Sequence, residues 1–257
     1  GSALELEKAS GKKVDDLHKH IVDEITVSCE CGGTMRRIPD VLDTWFDSGS
    51  MPYGEKNYPF VNKESFDQTF PAQFIAEGQD QTRAWFYYLH VLASALFNKP
   101  AFQNVIVNGI VLAEDGKKMS KKLQNYPDPM KIVDTYGADA LRYYLLSSPV
   151  VQSENLSFAE SGVDEVLKKN INRLDNVVAF YKLYEDGTKR GAESGNILDR
   201  WILARLNEFL AETTHGYNEY KLDKAVRPLA LFVDDLSVWY LRRSRDRLKN
   251  EGDDKKA

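Results

Sequence analysis

Short apolar runs and helical periodicity alternate in the first half of the chain. The run "AQFIAEG" predicts a strand that ends at Glu77 and Gly78, and "FQNVIVN" predicts a second strand that ends near Asn108. Between them, "DQTRAWFYYLHVLASALF" carries apolar residues at helical spacing, so we expect a helix that begins near Gln79 or Asp80. Strand, helix and strand in this order are typical of a parallel sheet, which binds its ligands at the carboxyl ends of the strands.

After the second strand the pattern becomes helical. The segment "DPMKIVDTYGADALRYYLLSS" predicts two helices separated by Gly137, and we find no strand signal beyond about Ser153. Apolar residues recur at helical spacing in three further segments, 163–184, 197–217 and 222–250. The predicted fold class is therefore α/β, a parallel sheet with its helices, followed by an all-α helical bundle that is cut short at the end of the chain.

Two segments near the start of the chain have weaker patterns. Residues 3–24 are rich in Lys, Asp and Glu, which predicts a solvated helix or a loose end. The segment "IPDVLDTWFDSGSMPYG" combines aromatic residues with Asp, Ser, Gly and Pro, and we expect it to form a loop on a packed scaffold.

Composition narrows the class of protein. The chain has 257 residues, 42% of them hydrophobic, which can supply a core for one large domain or somewhat more. We find no run of about 18 apolar residues and no secretory signal, so we expect a cytoplasmic protein without a membrane span. The initial Gly-Ser pair is typical of a cloning remnant and suggests a fragment.

The only two cysteines, Cys29 and Cys31, lie in the turn "CECGG". Few cysteines in a chain of this length favour a reducing compartment over a disulfide scaffold. The turn is similar to one knuckle of a zinc ribbon, but tetrahedral zinc needs four ligands. His18 and His20 are the only nearby candidates to complete the set, so we expect a remnant turn or two ordinary thiols rather than a zinc site.

A cluster of lysines lies in "EDGKKMSKKLQNYPDP", although the formal net charge of the chain is −5. Lys117, Lys118, Lys121 and Lys122 surround Ser120, after a predicted Asp-Gly turn. Ammonium groups on flexible stems are suited to clamping a polyphosphate. The alternative is a solvated lysine-rich turn, which composition alone favours.

The order of residues in and around this cluster resembles a known family. "KMSKK" is similar to the KMSKS loop of the class I aminoacyl-tRNA synthetases, with Lys122 in the place of the final serine. Three further motifs occur here in the family order: "DVLDTWFDSG", "EGQDQTRAWF" and "NVIVNGIVLAEDGKKMSK". Two more segments are similar to the isoleucine enzymes in particular, namely "YGADALRYYLLSSPVV" and "LSVWYLRRSRDR". The chain resembles the isoleucyl-tRNA synthetases from Asp40 to Arg247, in particular the branch that includes eukaryotic cytosolic enzymes.

The resemblance implies a Rossmann-like nucleotide-binding domain and an aminoacyl-adenylate site at its strand ends. The residues that would line the adenylate are Glu77, Gly78, Asp80 and Gln81. The Asp80 carboxylate can accept hydrogen bonds from ribose hydroxyls, and Gly78 lets a ligand approach the backbone. Trp85 would form a wall of the isoleucine pocket, and the alternative for its indole is core packing.

The same resemblance implies ATP, with Mg²⁺, as a substrate. Asn108, Gly109 and Ile110 would meet the adenine, Gly109 by close approach of its backbone. Lys118 and Lys121 would neutralise the ATP phosphates while the carboxylate of isoleucine attacks the α-phosphorus, and Lys121 matches the second lysine of the family loop. Ser120 could add a hydroxyl donor.

A second charged cluster lies in the helical half, which the resemblance implies would contact tRNA(Ile). Arg242, Arg243, Arg245 and Arg247 lie in "WYLRRSRDR", where guanidinium groups could contact tRNA phosphates. The alternative is that ion pairs within the helix use the arginines, because Asp234, Asp235 and Asp246 lie nearby in the sequence.

Two parts of the family pattern are missing from this sequence. The HIGH signature has no match, since "HKHI" lacks the glycine, and the editing domain is absent except for its exit segment. We therefore expect an exit segment at 1–39, a partial Rossmann-like catalytic domain with the lysine loop at 40–150, and a truncated stem-contact and anticodon-binding bundle at 151–257. We expect a monomer. We also expect little or no adenylate formation by this chain alone, because the ATP phosphates need donors from both halves of the fold.

Two alternatives remain open. One is a fragment of a valyl- or leucyl-type class I synthetase, which would share the sheet and the lysine loop. The other is a non-catalytic tRNA-binding module, against which the intact Asp80, Gln81, Lys118 and Lys121 argue.

Overall fold

The amino-terminal segment folds into two short helices and a hairpin. The computed structural model describes residues 2–41, 43–120, 122–185 and 194–249. The first elements are α1 (Ala3–Ser10), α2 (Lys19–Val22), β1 (Thr26–Ser28) and β2 (Thr34–Arg36), with β1 and β2 antiparallel. Ser2 and Glu5 form a capping box at the start of α1, which satisfies two helix N–H groups. Cys29 and Cys31 are free thiols in the turn of the hairpin.

The segment that we predicted as a loop after Asp40 is largely helical. It forms α3 (Thr44–Gly49) and α4 (Met51–Gly54), and α5 (Lys63–Thr69) follows. The Asp43 carboxylate starts α3, because it accepts hydrogen bonds from the backbone N–H groups of Trp45 and Phe46 at 2.9 and 3.0 Å. The loop prediction was therefore wrong: a single capping side chain outweighs the turn-forming composition.

The central sheet has the predicted parallel arrangement. Strand β3 (Ala72–Gly78) pairs in parallel with β4 (Phe102–Asn108), and α6 (Trp85–Phe97) connects them. The helix begins later than predicted, since residues 79–83 form a 3₁₀ turn and Ala84 has non-helical dihedrals. One face of α6 packs on the sheet through a core of Ile75, Phe86, Leu89, Ala93 and Ala101.

A second, smaller parallel pair follows the first. It joins β5 (Val111–Leu112) to β6 (Leu156–Ser157), and between them lie α7 (Pro129–Tyr136), α8 (Ala138–Ser147) and a 3₁₀ turn at Pro149–Gln152. Gly137 separates the two helices as predicted, with φ of +85°. The expectation of no strand beyond Ser153 was wrong, because β6 is two residues long and is defined only by its pairing with β5.

The rest of the described chain is helical, as the periodicity predicted. Its elements are α9 (Glu160–Val166), a π-helical segment at Leu167–Ile171, α10 (Asn172–Tyr184), α11 (Ile197–Asn218), α12 (Leu222–Val226), α13 (Pro228–Asp234), a second π-helical segment at Asp235–Leu241 and α14 (Arg242–Lys249). Helices α11 and α12 meet closely, since a Cβ at Gly216 would lie 2.6 Å from the backbone nitrogen of Ala225. Among the helices of the described ranges, none has the length and apolar character of a membrane span.

Candidate functional site

The carboxyl ends of β3 and β4 lie side by side. In the register of the parallel pair, Glu77 is opposite Val107 and Gly78 is opposite Asn108. Two groups of predicted site residues, separated by a helix in the sequence, therefore meet at one edge of the sheet. Parallel sheets bind ligands at this edge, because the chain leaves it through loops and helix starts with free polar groups.

The turn after β3 positions Asp80 and Gln81. A Cβ at Gly78 would lie 2.6 Å from Asp80 Oδ1, so the absence of a side chain lets this carboxylate fold back over the strand end. Gln81 donates from Nε2 to Asp80 Oδ2 at 3.3 Å, and its Oε1 accepts from the backbone N–H of Trp85 at 3.1 Å. Gln81 thus connects the exposed Asp80 to the first turn of α6.

Trp85 connects this turn to α3. Its indole N–H donates to the carbonyl oxygen of Ser48 at 3.0 Å, and its ring packs against the core beneath the sheet. The indole is only half-buried. The hydrogen bond fixes the ring at the base of α6, and the sequence could not indicate it because Ser48 and Trp85 are 37 residues apart.

The backbone that follows β4 is held by a later segment of the chain. The N–H of Gly109 donates to the carbonyl oxygen of Val150 at 2.7 Å, and the N–H of Ile110 donates to Asn155 Oδ1 at 3.1 Å. A Cβ at Gly109 would lie 1.9 Å from the carbonyl oxygen of Glu154. The structure thus gives a reason for glycine that needs no ligand, namely the crossing of the Glu154 backbone. Sequence reasoning did not identify these partners.

The lysine loop begins as a tight turn. The N–H of Ala113 donates to the carbonyl oxygen of Lys117 at 2.8 Å, and Gly116 has φ of +78°, as the Asp-Gly pair predicted. Lys117 forms an ion pair with Asp115 at 2.9 Å. The hydrogen bond between the two side chains of this ion pair raises the pKa of Lys117 and lowers the pKa of Asp115. Lys117 is therefore already engaged with a carboxylate, which the sequence analysis did not foresee.

Beyond this turn the loop projects its charge outward. Lys118 and Lys122 are exposed, while Met119 packs against the second core, which consists of Ile132, Ala140, Phe158 and Val163. Lys121 lies outside the described residues. Ser120 Oγ accepts from the N–H of Leu123 at 3.1 Å.

The arginines of α14 point in different directions. Arg242, Arg243 and Arg245 are exposed, and within the described ranges no carboxylate lies at ion-pair distance from them. Arg243 stacks over the ring of Trp239 at 3.9 Å, and Arg245 lies 5.8 Å from the ring of Phe180.

The nearby aspartates have other partners. Asp234 pairs with Arg173 of α10, and Asp235 accepts from Arg205 of α11 at 2.7 Å. The alternative of ion pairs within the last helix is therefore wrong for these two aspartates, which instead connect α13 and the following π-helical segment to other helices.

The described residues offer no obvious place for a metal ion. Within the ranges that the structure describes, no group of three or more His, Cys, Asp and Glu side chains is arranged to hold one. A cavity of about 220 Å³ exists elsewhere, beside Tyr58, Phe66, Asp67, Phe70, Phe97 and Lys99. None of its lining residues belongs to the predicted site.

Two family models match the chain. "tRNA synthetases class I (I, L, M and V)" matches residues 2–157, and "Anticodon-binding domain of tRNA ligase" matches residues 199–257. Among curated proteins, the isoleucine–tRNA ligase of Chlamydia trachomatis serovar L2 is 54% identical over 96% of the chain. The isoleucine–tRNA ligase of Treponema denticola is 47% identical over 100% of it. The chain spans about a quarter of the length of these relatives, 24% and 25%.

Solved structures show the same fold. The methionyl-tRNA synthetase of Mycobacterium tuberculosis, in complex with methionyl-adenylate, has a TM-score of 0.68 at 22% identity, covering 98% of this chain and 50% of that one. The agnB2 LeuRS of Agrobacterium radiobacter K84, in a ternary complex with tRNA and LeuAMS, has a TM-score of 0.67 at 22% identity, covering 87% and 31%. The Chlamydia and Treponema relatives are bacterial, so the predicted placement in the branch with eukaryotic cytosolic enzymes is not borne out.

Proposed function

Because the chain belongs to the class I tRNA synthetases of the isoleucine, leucine, methionine and valine group, we propose that it is part of an isoleucine–tRNA ligase. The observation that carries the proposal is the meeting of Gly78 and Asn108 at one sheet edge, with the exposed lysine loop next along the chain. The identity of 47–54% to isoleucine–tRNA ligases supports isoleucine over valine or leucine as the amino acid.

In the proposed reaction, an oxygen of the isoleucine carboxylate attacks the α-phosphorus of ATP, and pyrophosphate leaves. Asp80 and Gln81 bind the ribose and the aminoacyl group, and Trp85 forms a wall of the side-chain pocket. Asn108, Gly109 and Ile110 contact the adenine, and Glu77 lies at the strand end beside them. The product is isoleucyl-adenylate, from which the isoleucyl group passes to a terminal ribose hydroxyl of tRNA(Ile) with release of AMP.

The lysines act on charge that moves during this step. Lys118 and Lys121, together with the Mg²⁺ that accompanies ATP, neutralise the phosphate oxygens as the bond to pyrophosphate breaks, and Ser120 adds a hydroxyl donor. Lys118 is exposed, whereas Lys117 forms an ion pair with Asp115. We therefore assign the phosphate contact to Lys118 and Lys121, and not to Lys117.

Amino-acid-dependent exchange of pyrophosphate into ATP by the full-length protein tests the proposal. We expect exchange with isoleucine and much weaker exchange with valine and leucine. Lys118→Ala and Lys121→Ala should each lower kcat by about 10²-fold, the typical effect of removing a group that stabilises developing charge. The matched control is Lys131→Ala, an exposed lysine of α7. Exchange that depends on leucine or valine instead, or that survives both loop variants unchanged, would refute the proposal.

The isolated chain provides a second test. Because its sequence holds no HIGH signature, we expect it to give weak or undetectable exchange under conditions in which the full-length protein turns over. Exchange by the isolated chain at the rate of the full-length protein would overturn this expectation. The monomeric state, the cytoplasmic location and a domain boundary at residue 39 are parts of the same proposal.

We further propose that the helical half contacts tRNA through α14. Support comes from the anticodon-binding family match at 199–257 and from the exposure of Arg242, Arg243 and Arg245. Each guanidinium that contacts a phosphate should contribute about one unit to the slope of log affinity against log salt concentration. Filter binding of tRNA to the chain should therefore show a smaller slope for Arg243→Ala. Arg142→Ala, an exposed arginine of α8, is the control, and equal slopes for the two variants would contradict the assignment.

A further inference from the structure

The side chain of Asn125 joins two backbone groups of the lysine loop. Its Oδ1 accepts from the N–H of Ser120 at 2.9 Å, and its Nδ2 donates to the carbonyl oxygen of Lys118 at 3.2 Å. Both ends of the amide are used, so only a side chain with one acceptor and one donor at this position satisfies both groups. The amide is half-buried beneath a loop whose lysines are exposed.

Both attachments of Asn125 lead to well-anchored parts of the fold. On one side, Lys118 forms an antiparallel bridge with Leu112 of β5. On the other side, Asn125 is followed by the start of α7, where Asp128 accepts from the N–H of Met130 at 2.9 Å. Asn125 therefore connects the strand side of the loop to its helix side.

Residues 122–124, between these anchors, form a turn. The N–H of Gln124 donates to the carbonyl oxygen of Ser120 at 3.0 Å, and Gln124 has φ of +48°. Ordinary residues adopt this left-handed conformation rarely, and it persists where the surroundings stabilise it. The hydrogen bonds of Asn125 supply such stabilisation, because they fix the turn at Ser120 and Lys118.

We infer that Asn125 is a positioning residue, which holds the lysine loop in the conformation that presents Lys118 to the phosphates. That the ligand is ATP rests on the proposed function. That Asn125 restrains the loop rests only on its hydrogen bonds to Ser120 and Lys118. Asn125 itself touches no substrate in this account. It acts through the backbone of Lys118 and Ser120.

Limited proteolysis of the chain tests the hold on the loop without any substrate. Trypsin cleaves after lysine where the backbone can open, and the cleavage rate follows the population of the open form. Each hydrogen bond lost should raise that population by a factor of about five, so Asn125→Ala, which loses two, should raise cleavage between Lys117 and Lys122 by about 25-fold. Asn125→Asp keeps the acceptor and loses the donor, and its rate should fall between those of wild type and Asn125→Ala.

The matched control is Asn104→Ala, which removes an exposed amide that donates to the carbonyl oxygen of Gln73 at 2.9 Å, away from the loop. We expect loop cleavage in this variant at the wild-type rate. Cleavage after Arg142, an exposed arginine within α8, serves as an internal reference, because it rises together with loop cleavage if the whole chain is destabilised. Unchanged loop cleavage in Asn125→Ala, or an equal rise in cleavage after Arg142, would refute the inference.

Kinetics of the full-length protein test whether the hold serves Lys118. Asn125→Ala should lower kcat for pyrophosphate exchange by about tenfold with the KM for isoleucine unchanged, since a loosely held lysine costs the transition state more than the bound amino acid. In a Lys118→Ala background the same substitution should cost less than about twofold, because partners in one interaction are not additive. An equal loss in both backgrounds would show that Asn125 does not act through Lys118. Absence of exchange in the wild type would instead refute the proposed function, while the tryptic result still decides the hold on the loop.

Discussion

Replacing the buried Asp199 by asparagine should lower the stability of the helical half more than the same change at a surface aspartate. Asp199 is 7% exposed, and its carboxylate accepts hydrogen bonds from the hydroxyls of Ser194 and Tyr240 at 2.6 and 2.7 Å. The guanidinium of Arg247 donates to both of its oxygens, at 2.5 and 3.1 Å. The cluster joins the first turn of α11 to α14 and to the π-helical segment before it.

The expected magnitude follows from the burial of the pair. Removing one partner of a buried ion pair costs about 3–5 kcal/mol, because the remaining charge is left without compensation. The side chain of Arg247 is still 16% exposed, and an asparagine would keep one carbonyl acceptor. We therefore expect Asp199→Asn to lower the free energy of unfolding by about 2–3 kcal/mol, at or below the lower end of that range.

The loss should depend on pH. Burial alone would raise the pKa of Asp199, but hydrogen bonds from Ser194, Tyr240 and Arg247 outweigh it and hold the pKa below its ordinary value. A carboxyl group with a lowered pKa in the folded state stabilises the protein above the unfolded pKa of about 4, and this stabilisation is lost as the pH falls toward the folded pKa. The difference between wild type and Asp199→Asn should therefore be full at pH 7 and should shrink below about pH 4.

Urea unfolding at pH 7 and at a pH below about 4, followed by far-ultraviolet circular dichroism, measures the difference in stability between wild type and Asp199→Asn. With a typical slope of about 2 kcal/mol per molar, the midpoint at pH 7 should fall by about 1 M. The control is Asp164→Asn, which removes the partner of Lys168 in an exposed pair and should leave the midpoint within error. Equal midpoints for the two variants, or a difference that persists unchanged at low pH, would refute the reasoning about Asp199.

Three further outcomes follow from the same structure. Gly109→Ala should lower stability by about 3 kcal/mol or more, because its Cβ would lie 1.9 Å from the carbonyl oxygen of Glu154, and the urea midpoint measures this. Gly78→Ala should cost about 1 kcal/mol or less by the same measurement, since the contact at 2.6 Å is with the end of the Asp80 side chain, which can rotate away. Burial and the neighbouring carboxylate raise the pKa of Tyr240 from 10.0 to about 12, so its contribution to stability is full below pH 10 and is lost as the pH rises toward 12. A spectrophotometric titration of tyrosinate should therefore lose its most alkaline component in Tyr240→Phe, and an unchanged titration would contradict the assignment.

The order of the larger elements could be predicted because their patterns are local. Apolar runs that end at Gly78 and Asn108 predicted two strands, and the structure pairs these same residues at the end of a parallel ladder. Gly137 marked the boundary between α7 and α8 for a local reason, its positive φ. Such features need only the residue and its neighbours, and the sequence displays both.

The errors have long-range or single-residue causes. Strand β6 is two residues long, too short for any periodicity, and it exists because β5 lies beside it. The start of α3 depends on one carboxylate, that of Asp43, in a segment whose composition favours a loop. The start of α6 at Trp85, later than predicted, depends on the dihedrals of Ala84, which have no signal in the sequence.

The candidate site divides in the same way. The residues at the strand ends and in the loop were identified from their motifs, but their partners were not. Ser48, the partner of Trp85, and Glu154, which crosses Gly109, come from other parts of the chain. Asn125 lies in the quoted lysine segment, but nothing in the sequence indicated its bond to Ser120. A motif reports which groups a ligand would touch, whereas the groups that hold these in place vary with the local packing and become visible only in three dimensions.

The placement of the segment after Val150 shows why this distinction matters for the domain division. Sequence patterns alone put residue 151 at the start of the helical half. Yet the carbonyl oxygen of Val150 accepts from Gly109 at 2.7 Å, and the N–H of Leu156 donates to the carbonyl oxygen of Ile110 at 3.0 Å. These bonds hold the backbone that we propose to meet the adenine, and the synthetase family match also extends to residue 157. We therefore propose that the catalytic part includes β6, and that a chain shortened to end at residue 150 would lose the support of its own nucleotide-binding edge.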